Sequence, residues 1–398
     1  MHPLTRTLLA GTALAALSSP LAAQTVINTA RTTPVVTSTV NGGQPADVRI
    51  DTAGTVTVAS GTAVTVDSNN SVTNAGAIKI SNADNAVGIR VTAGRTANIA
   101  NSGTITIDET YTATDSDNDG DLDGPFATGT GRTAILIEGA LTGNVSHTGT
   151  ILVEGNNSAG IRALGPITGN VTHEGKTTVI GTNALGLGLA GVSGDVRLAG
   201  EIAVQGQGVQ GAVLSGDIGG RLQVQSSITA TGYRTVPAPA DPSKLDADDL
   251  LQGGSALVIE GNVARGIVFE IPPADLVTTD PDEDKDGIED AKEGTTRIIA
   301  YGAAPAVQIG GTANTAIGAT QNTATGFGII MAGTILGDGA YAGVNGTGMR
   351  IGGRGGEGRA NAIARRRIQG AVRAVSVAAS GWPRMPNTPH SSWNLSSW

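Results

Sequence analysis

Between about residues 54 and 353, apolar and polar positions alternate in runs of three to five residues, each broken by Gly, Asn or Ser. Alternation at period two puts successive side chains on opposite faces, which predicts short strands. Helical repeats are excluded by the density of Gly, which costs about 1 kcal/mol relative to Ala inside a helix. The runs themselves recur. Residues 143–151, 169–177, 194–202 and 220–228 align, with Val145, Val171, Val196 and Leu222 spaced 26, 25 and 26 residues apart. Four positions later stand Gly149, Gly175 and Gly200, with Ser226 in the fourth copy; the same unit occurs at 72–80 and 99–107. A second strand opens each unit, at 134–137, 160–162, 186–189, 211–214, 256–259, 306–309 and 348–351.

A period of this size signals a stacked array. Coils of about 25 residues, each with three short strands, predict an all-β fold, a right-handed parallel β-helix (solenoid) interrupted by three loop insertions. Successive coils then pair edge to edge at about 4.8 Å, and nine or ten coils make a rod of about 45 Å. Stacking buries an aliphatic column that no single coil could bury alone. Two positions beyond the Val145 class stand Asn74, Asn101, His147, His173, Leu198 and Val224. Alternation turns this column inward too, so its polar members predict an internal side-chain ladder. A metal reading of His147 and His173 lacks a third ligand in the column.

Composition narrows this picture. The chain has 398 residues with 59 Gly, only ten aromatics and no Cys. No Gly-X-Y register exists, so collagen is excluded, and the scarcity of aromatics leaves small aliphatics to build the core. Without Cys there is neither a disulfide framework nor a thiolate site. Residues 1–23 read as a signal peptide: Arg6, an apolar run from Leu8 to Leu17, a break at Ser18-Ser19-Pro20 and a small-residue cleavage site near Ala23. Nothing else is apolar enough to span a membrane as a helix, so the mature chain is expected without a transmembrane segment. Residues 24–53 read as an N-terminal cap or linker.

The insertions fall at about 108–131, 232–253 and 272–297, each expected between the last strand of one coil and the first strand of the next. The first contains Asp115, Asp117, Asp119 and Asp123, with Gly120 at the turn; the third contains Asp282, Asp284, Asp286, Asp290 and Glu293, with Gly287. Alternate carboxylates at positions 1, 3, 5 and 9 converge on a hard cation, and Gly at position 6 permits the sharp turn. Both loops therefore read as Ca²⁺ sites. The third is the more complete, since Glu293 occupies position 12 where the first loop has Phe126. Both are similar to the Asp-rich loops of thrombospondin type 3 and dockerin-like repeats. The alternative is an acidic solvated loop. The second insertion, with Asp246, Asp248 and Asp249, lacks this spacing and reads as a linker.

From residue 350 the chain carries eight Arg against Glu357, a net of +7, while the whole chain is −9. All three Trp lie in the last 17 residues, and Arg365-Arg366-Arg367 falls where another strand pair is due. Residues 354–398 accordingly read as a basic, disordered tail outside the rod, with the scar of a truncation or frameshift favoured over a functional basic patch.

The coils carrying Asn74-Ala75-Gly76-Ala77-Ile78 and Asn101-Ser102-Gly103-Thr104-Ile105 resemble the passenger region of type V autotransporters of Gram-negative bacteria. The resemblance covers about 54–353 and rests on repeat style and composition. It implies a β-helical rod shown outside the cell by a C-terminal barrel, which would need some 250 further residues that are not in this sequence. The expected location is the cell surface or the medium, or the periplasm if no translocator is supplied. The expected function is non-enzymatic and adhesin-like, towards a surface glycan or protein and not towards nucleic acid. Oligomeric state is open. The alternative is a polysaccharide-active lyase or hydrolase. That chemistry needs paired carboxylates about 5–10 Å apart, whereas Glu138, Glu154, Glu174, Glu201 and Glu260 scatter over different coil positions. No catalytic residue is assigned.

Overall fold

The computed structural model describes residues 23–118, 120, 122–236, 241–283, 289–320 and 326–352, together with the strands Ala362–Ile363, Arg366–Ile368 and Ala371–Val377. Residues 1–22 of the signal peptide expected over 1–23, and most of 354–398, lie outside the described residues.

Each coil sends one strand to each of three parallel sheets, as in Val145–His147, Thr150–Glu154 and Ala159–Ala163. The sheets contain 11, 11 and 10 strands, and a strand's neighbours are its counterparts one coil earlier and one coil later. This is a parallel β-helix, an open solenoid. Ten steps in an 11-stranded sheet, at about 4.8 Å each, make a stack about 48 Å long. The register follows the aliphatic repeat: Val145 pairs with Val171, Val171 with Val196, and Val196 with Leu222.

A fourth, narrow face closes the cross-section. It begins with the two-residue strands Arg95–Thr96, Leu141–Thr142 and Ile167–Thr168. Single bridges then run from Ile167 through Val192, Ile218 and Val263 to Ile317. Leu141, Ile167, Val192, Ile218, Val263 and Ile317 are all buried along it. Strands of one or two residues contain no alternation, which is why the hydrophobic pattern points to three strands per coil and not to this fourth edge.

One continuous cluster, mostly Val, Ile, Leu and Ala with Phe269 and Met331, fills the interior from Ile27 to Ile335. The inward polar column lies within it: Asn74 Nδ2 donates to Asn101 Oδ1 at 2.7 Å, and Asn101 Nδ2 stands 3.0 Å from His147 Nδ1. His173 follows one coil later, and all four side chains are buried.

At both ends the sheets extend beyond the range where the repeat is visible. Gln24–Ile27 pairs with the strand Asp47–Ile50, Ala30–Arg31 with Thr55–Thr57, and Val35–Val36 with Thr62–Val66. Residues 24–36 thus form a coil where the sequence reads a cap or linker. Its outer edge borders no earlier described coil, so exposed residues such as Val26 blur the alternation. In the segment that reads as a tail, Arg366–Ile368 pairs with Ile329–Met331 and Ala371–Val377 pairs with Thr334–Ala342. Parallel pairing uses backbone N–H and C=O groups, so a basic run can occupy a strand position.

The glycine column marks a close contact between coils. At the corner between the first two sheets, a Cβ on Gly149 would lie 2.0 Å from the Gly103 carbonyl oxygen, and one on Gly200 would lie 1.9 Å from that of Gly175. Any larger residue must push two coils apart. We expect Gly200→Ala to destabilise the rod by about 1–3 kcal/mol, read as a lower denaturation midpoint in urea.

Candidate functional site: insertions at two corners of the rod

The first two insertions leave the second sheet and enter the third, joining Thr104–Asp108 to Thr133–Ile137 and Ser227–Thr231 to Leu257–Ile259. The third joins Ile267–Phe269 to Arg297–Tyr301, at the corner between the first and second sheets. It therefore interrupts a coil, which corrects the expectation that all three lie between one coil and the next. The strand signals on either side of the third insertion look alike, and only the pairing shows which sheet each joins.

The first insertion is fastened at its base by a buried ion pair. Arg132 Nη1 donates to Glu109 Oε2 at 2.9 Å, with both side chains at most 5% exposed. Arg132 Nε also donates to the Ala83 carbonyl. Glu109 accepts the N–H groups of Thr128 at 2.6 Å and Gly129 at 2.7 Å. The two ends of the insertion thus close on one carboxylate. Burial raises the Glu109 pKa, but these two N–H donors and Arg132 outweigh it and leave the group below its ordinary value.

Beyond this clasp, Asp115, Asp117 and Asp123 converge, each offering an oxygen within 4.8 Å of the others. Asp119 lies outside the described residues. Asp115 is curled back on its own turn, accepting the N–H of Asn118 at 2.7 Å and of Gly120 at 3.2 Å. The hydroxyl and N–H of Ser116 both donate to Asp123 and hold its pKa down.

The second insertion is not a plain linker. Asp246 and Asp248 form a second group with the same Asp123, again within 4.8 Å. Asp248 accepts the Gly124 N–H at 2.9 Å. Arg234 donates to the Gly124 carbonyl, stands 3.9 Å from Asp248 and stacks its guanidinium 4.5 Å from the centre of the Phe126 ring. Burial, then the neighbouring Asp246, push the Asp248 carboxyl up. The strands from which the two insertions depart lie four steps apart in the sheet, about 19 Å. Contacts across 110 and 124 residues leave no signal in local spacing, and this is why the partnership was invisible in the sequence. The second insertion is itself held by Tyr233, whose hydroxyl donates to the Gly339 carbonyl at 3.0 Å, and whose ring lies 4.3 Å from that of Tyr341.

In the third insertion, Asp284 and Asp286 lie outside the described residues. Asp282 and Asp290 come near each other, since the Asp290 N–H donates to the Pro281 carbonyl at 2.8 Å. Burial and the charges of Asp275, Glu283 and Asp282 push the Asp290 carboxyl up. Glu293 takes a different partner: its Oε1 accepts from Gln225 Nε2 at 3.2 Å, on the outside of the first sheet. There Arg197 pairs with Glu174 at 3.3 Å and donates to Gln225 Oε1, while Gln223 donates to Glu270 Oε2 at 2.7 Å. This polar shelf docks the third insertion on the rod, and sequence reading missed it because its members come from four coils. Among the described residues, the two groups around Asp123 are where three carboxylates meet closely enough to share an ion.

No protein-family model matches the chain, and neither a curated protein nor a solved structure matches it.

The clasp makes a direct prediction. Glu109→Ala leaves the Arg132 guanidinium buried without its counter-charge, which should cost about 3 kcal/mol. Limited proteolysis should then cut within 109–132 ahead of any coil, while the unsubstituted chain resists cleavage there.

Proposed function

We propose that this chain is an exported, non-enzymatic, adhesin-like rod of the autotransporter-passenger kind, whose first two insertions form one calcium-stabilised head for contact with a surface glycan or protein. The observation that carries this reading is the sharing of Asp123 by two acidic groups from insertions about 19 Å apart at their roots. Two oxygens on opposite sides of a Ca²⁺ ion, each at about 2.4 Å, lie about 4.8 Å apart, and the oxygens of each group lie within that distance of one another. Asp115, Asp117, Asp123, Asp246 and Asp248 would supply ligands, and the ion would offset the burial and the Asp246 repulsion that raise Asp248. The third loop would bind through Asp282 and Asp290, with Asp284 and Asp286 as the expected remainder, since Glu293 is engaged by Gln225. An acidic rod has no electrostatic attraction for nucleic acid.

The reading predicts Ca²⁺ binding in the 10⁻⁴–10⁻³ M range of extracellular modules. Calorimetry on the mature chain should record it together with a rise in melting temperature. Asp123→Asn should weaken it because both groups lose a ligand, whereas Asp217→Asn, which bonds Asn262 on the rod, should not. Beads coated with the chain should adhere to a glycan or matrix-protein array in a Ca²⁺-dependent manner.

A second reading, a polysaccharide-active enzyme, draws support from the Glu174–Arg197–Gln225–Glu293 cluster on the first sheet. Against it, those side chains are engaged with one another and with the third insertion. Release of reducing ends or of unsaturated sugars from a panel of acidic polysaccharides, lost in Arg197→Ala, would replace the adhesin reading with this one.

A further inference from the structure

We propose that the stacked His147 and His173 side chains make the middle of the rod an acid-sensitive joint, so that acidification opens the coils around residues 145–177 before the rest of the solenoid.

The two rings occupy the same inward column one coil apart, with centroids 4.9 Å apart and planes at 67°. His147 is 0% exposed and His173 1%. On one side lies Asn101, and on the other the column continues as Leu198. The second sheet contributes the Lys176 carbonyl, 3.3 Å from His147 Nε2, and the Thr177 hydroxyl, 2.8 Å from His173 Nε2. None of these is a carboxylate. The nearby charged groups, Glu174, Lys176, Arg197 and Glu201, are paired off the column, Glu174 with Arg197 and Lys176 with Glu201. An imidazolium formed here would be a buried charge with no counter-charge, the most costly kind of buried group.

The hydrogen bonds point the same way. The polar ladder runs in one direction: Asn74 donates to Asn101, and Asn101 presents its NH₂ to His147 Nδ1. That nitrogen must therefore accept, which places the single proton of a neutral ring on Nε2, facing the Lys176 carbonyl. Protonating Nδ1 sets two donors against each other. Relief requires Asn101 to turn over, and then Asn74 as well, so the whole ladder must reverse. His173 Nδ1 makes no hydrogen bond to another residue.

Burial, followed by the His147 charge, holds His173 down to about 3, and burial also lowers His147. The unfolded chain takes up these protons near the ordinary His value of about 6.5. Between that value and about 3 the unfolded or opened state binds more protons than the folded one. Stability from the neutral pair is thus complete above about pH 6.5 and is lost as pH falls towards 3.

Hydrogen exchange read by mass spectrometry on the full chain tests this, at pH 7 and pH 4.5. The comparison is between the unsubstituted protein and His147→Asn/His173→Leu, which extends the Asn ladder on one side and the Leu198 column on the other. At pH 4.5, peptides from 145–177 should exchange about a hundredfold faster in the unsubstituted chain, because that pH lies about two units below the ordinary His value at which the opened state takes up the His173 proton. At pH 7, and in peptides from 62–91 at either pH, the two should agree. Equal exchange of 145–177 in both proteins at pH 4.5 overturns the proposal. If the double variant does not fold, ¹⁵N-histidine NMR of the unsubstituted chain decides instead. Two imidazoles that stay neutral down to unfolding support the joint, and titration of all four His near the ordinary midpoint overturns it.

Discussion

The backbone pairing between successive coils is the constraint on which the rest of this molecule depends. A strand of three to five residues cannot stand alone in water, and no single coil encloses a core. Each coil becomes stable only when its N–H and C=O groups meet those of the next at about 4.8 Å. That spacing has to hold on all sides of the cross-section at once, including the corners. At the corner between the first two sheets it leaves no room for a Cβ at Gly149, Gly175 or Gly200. The glycine column and the aliphatic columns are therefore two expressions of one requirement. The aliphatics fill the lumen, and the glycines let neighbouring turns approach closely enough for the strands to pair.

Polar groups inside such a lumen face a strict condition, because no water stands ready to satisfy them. Asn74 and Asn101 meet it by bonding to one another across coils, and His147 extends the chain of bonds. The repeat thus converts a sequence period into a directional hydrogen-bond ladder. The same periodicity that strengthens it makes it unforgiving, since the orientation of one amide dictates that of the next. Arg132 and Glu109 solve the equivalent problem at the edge of the core by pairing charge with charge and by recruiting the N–H groups of Thr128 and Gly129. The internal pair is neutral and the peripheral pair is charged, which matches where a counter-charge can be supplied.

Insertions are tolerated because they leave at corners, where the ladder of the sheets is not broken. The corner used decides what each can do. The first two share a corner and reach along the rod until Gly124 meets Asp248 and Arg234. The third emerges at another corner and lies on the first sheet through Gln225. A rod with a head on one edge and a docked loop on another has distinct faces, although its coils are built alike.

The all-β class, the parallel solenoid, the coil length, the pairing of Val145 with Val171, Val196 and Leu222, and the inward polar column were legible in the sequence. Each is a consequence of local alternation repeated at a constant period, and in a solenoid the contact partner is simply the residue one period away. The Asp-rich insertions were legible as acidic segments but not as assemblies. Tertiary structure alone decided that Asp246 and Asp248 join Asp123, that Glu293 turns to Gln225, that a narrow fourth face closes the cross-section from Arg95 onward, and that residues 24–36 already form a coil. These features depend on contacts between insertions, or on strands too short or too exposed to alternate. A repeating pattern specifies what lies one step up the rod, whereas the meeting of two irregular loops is set by where the stack carries their ends.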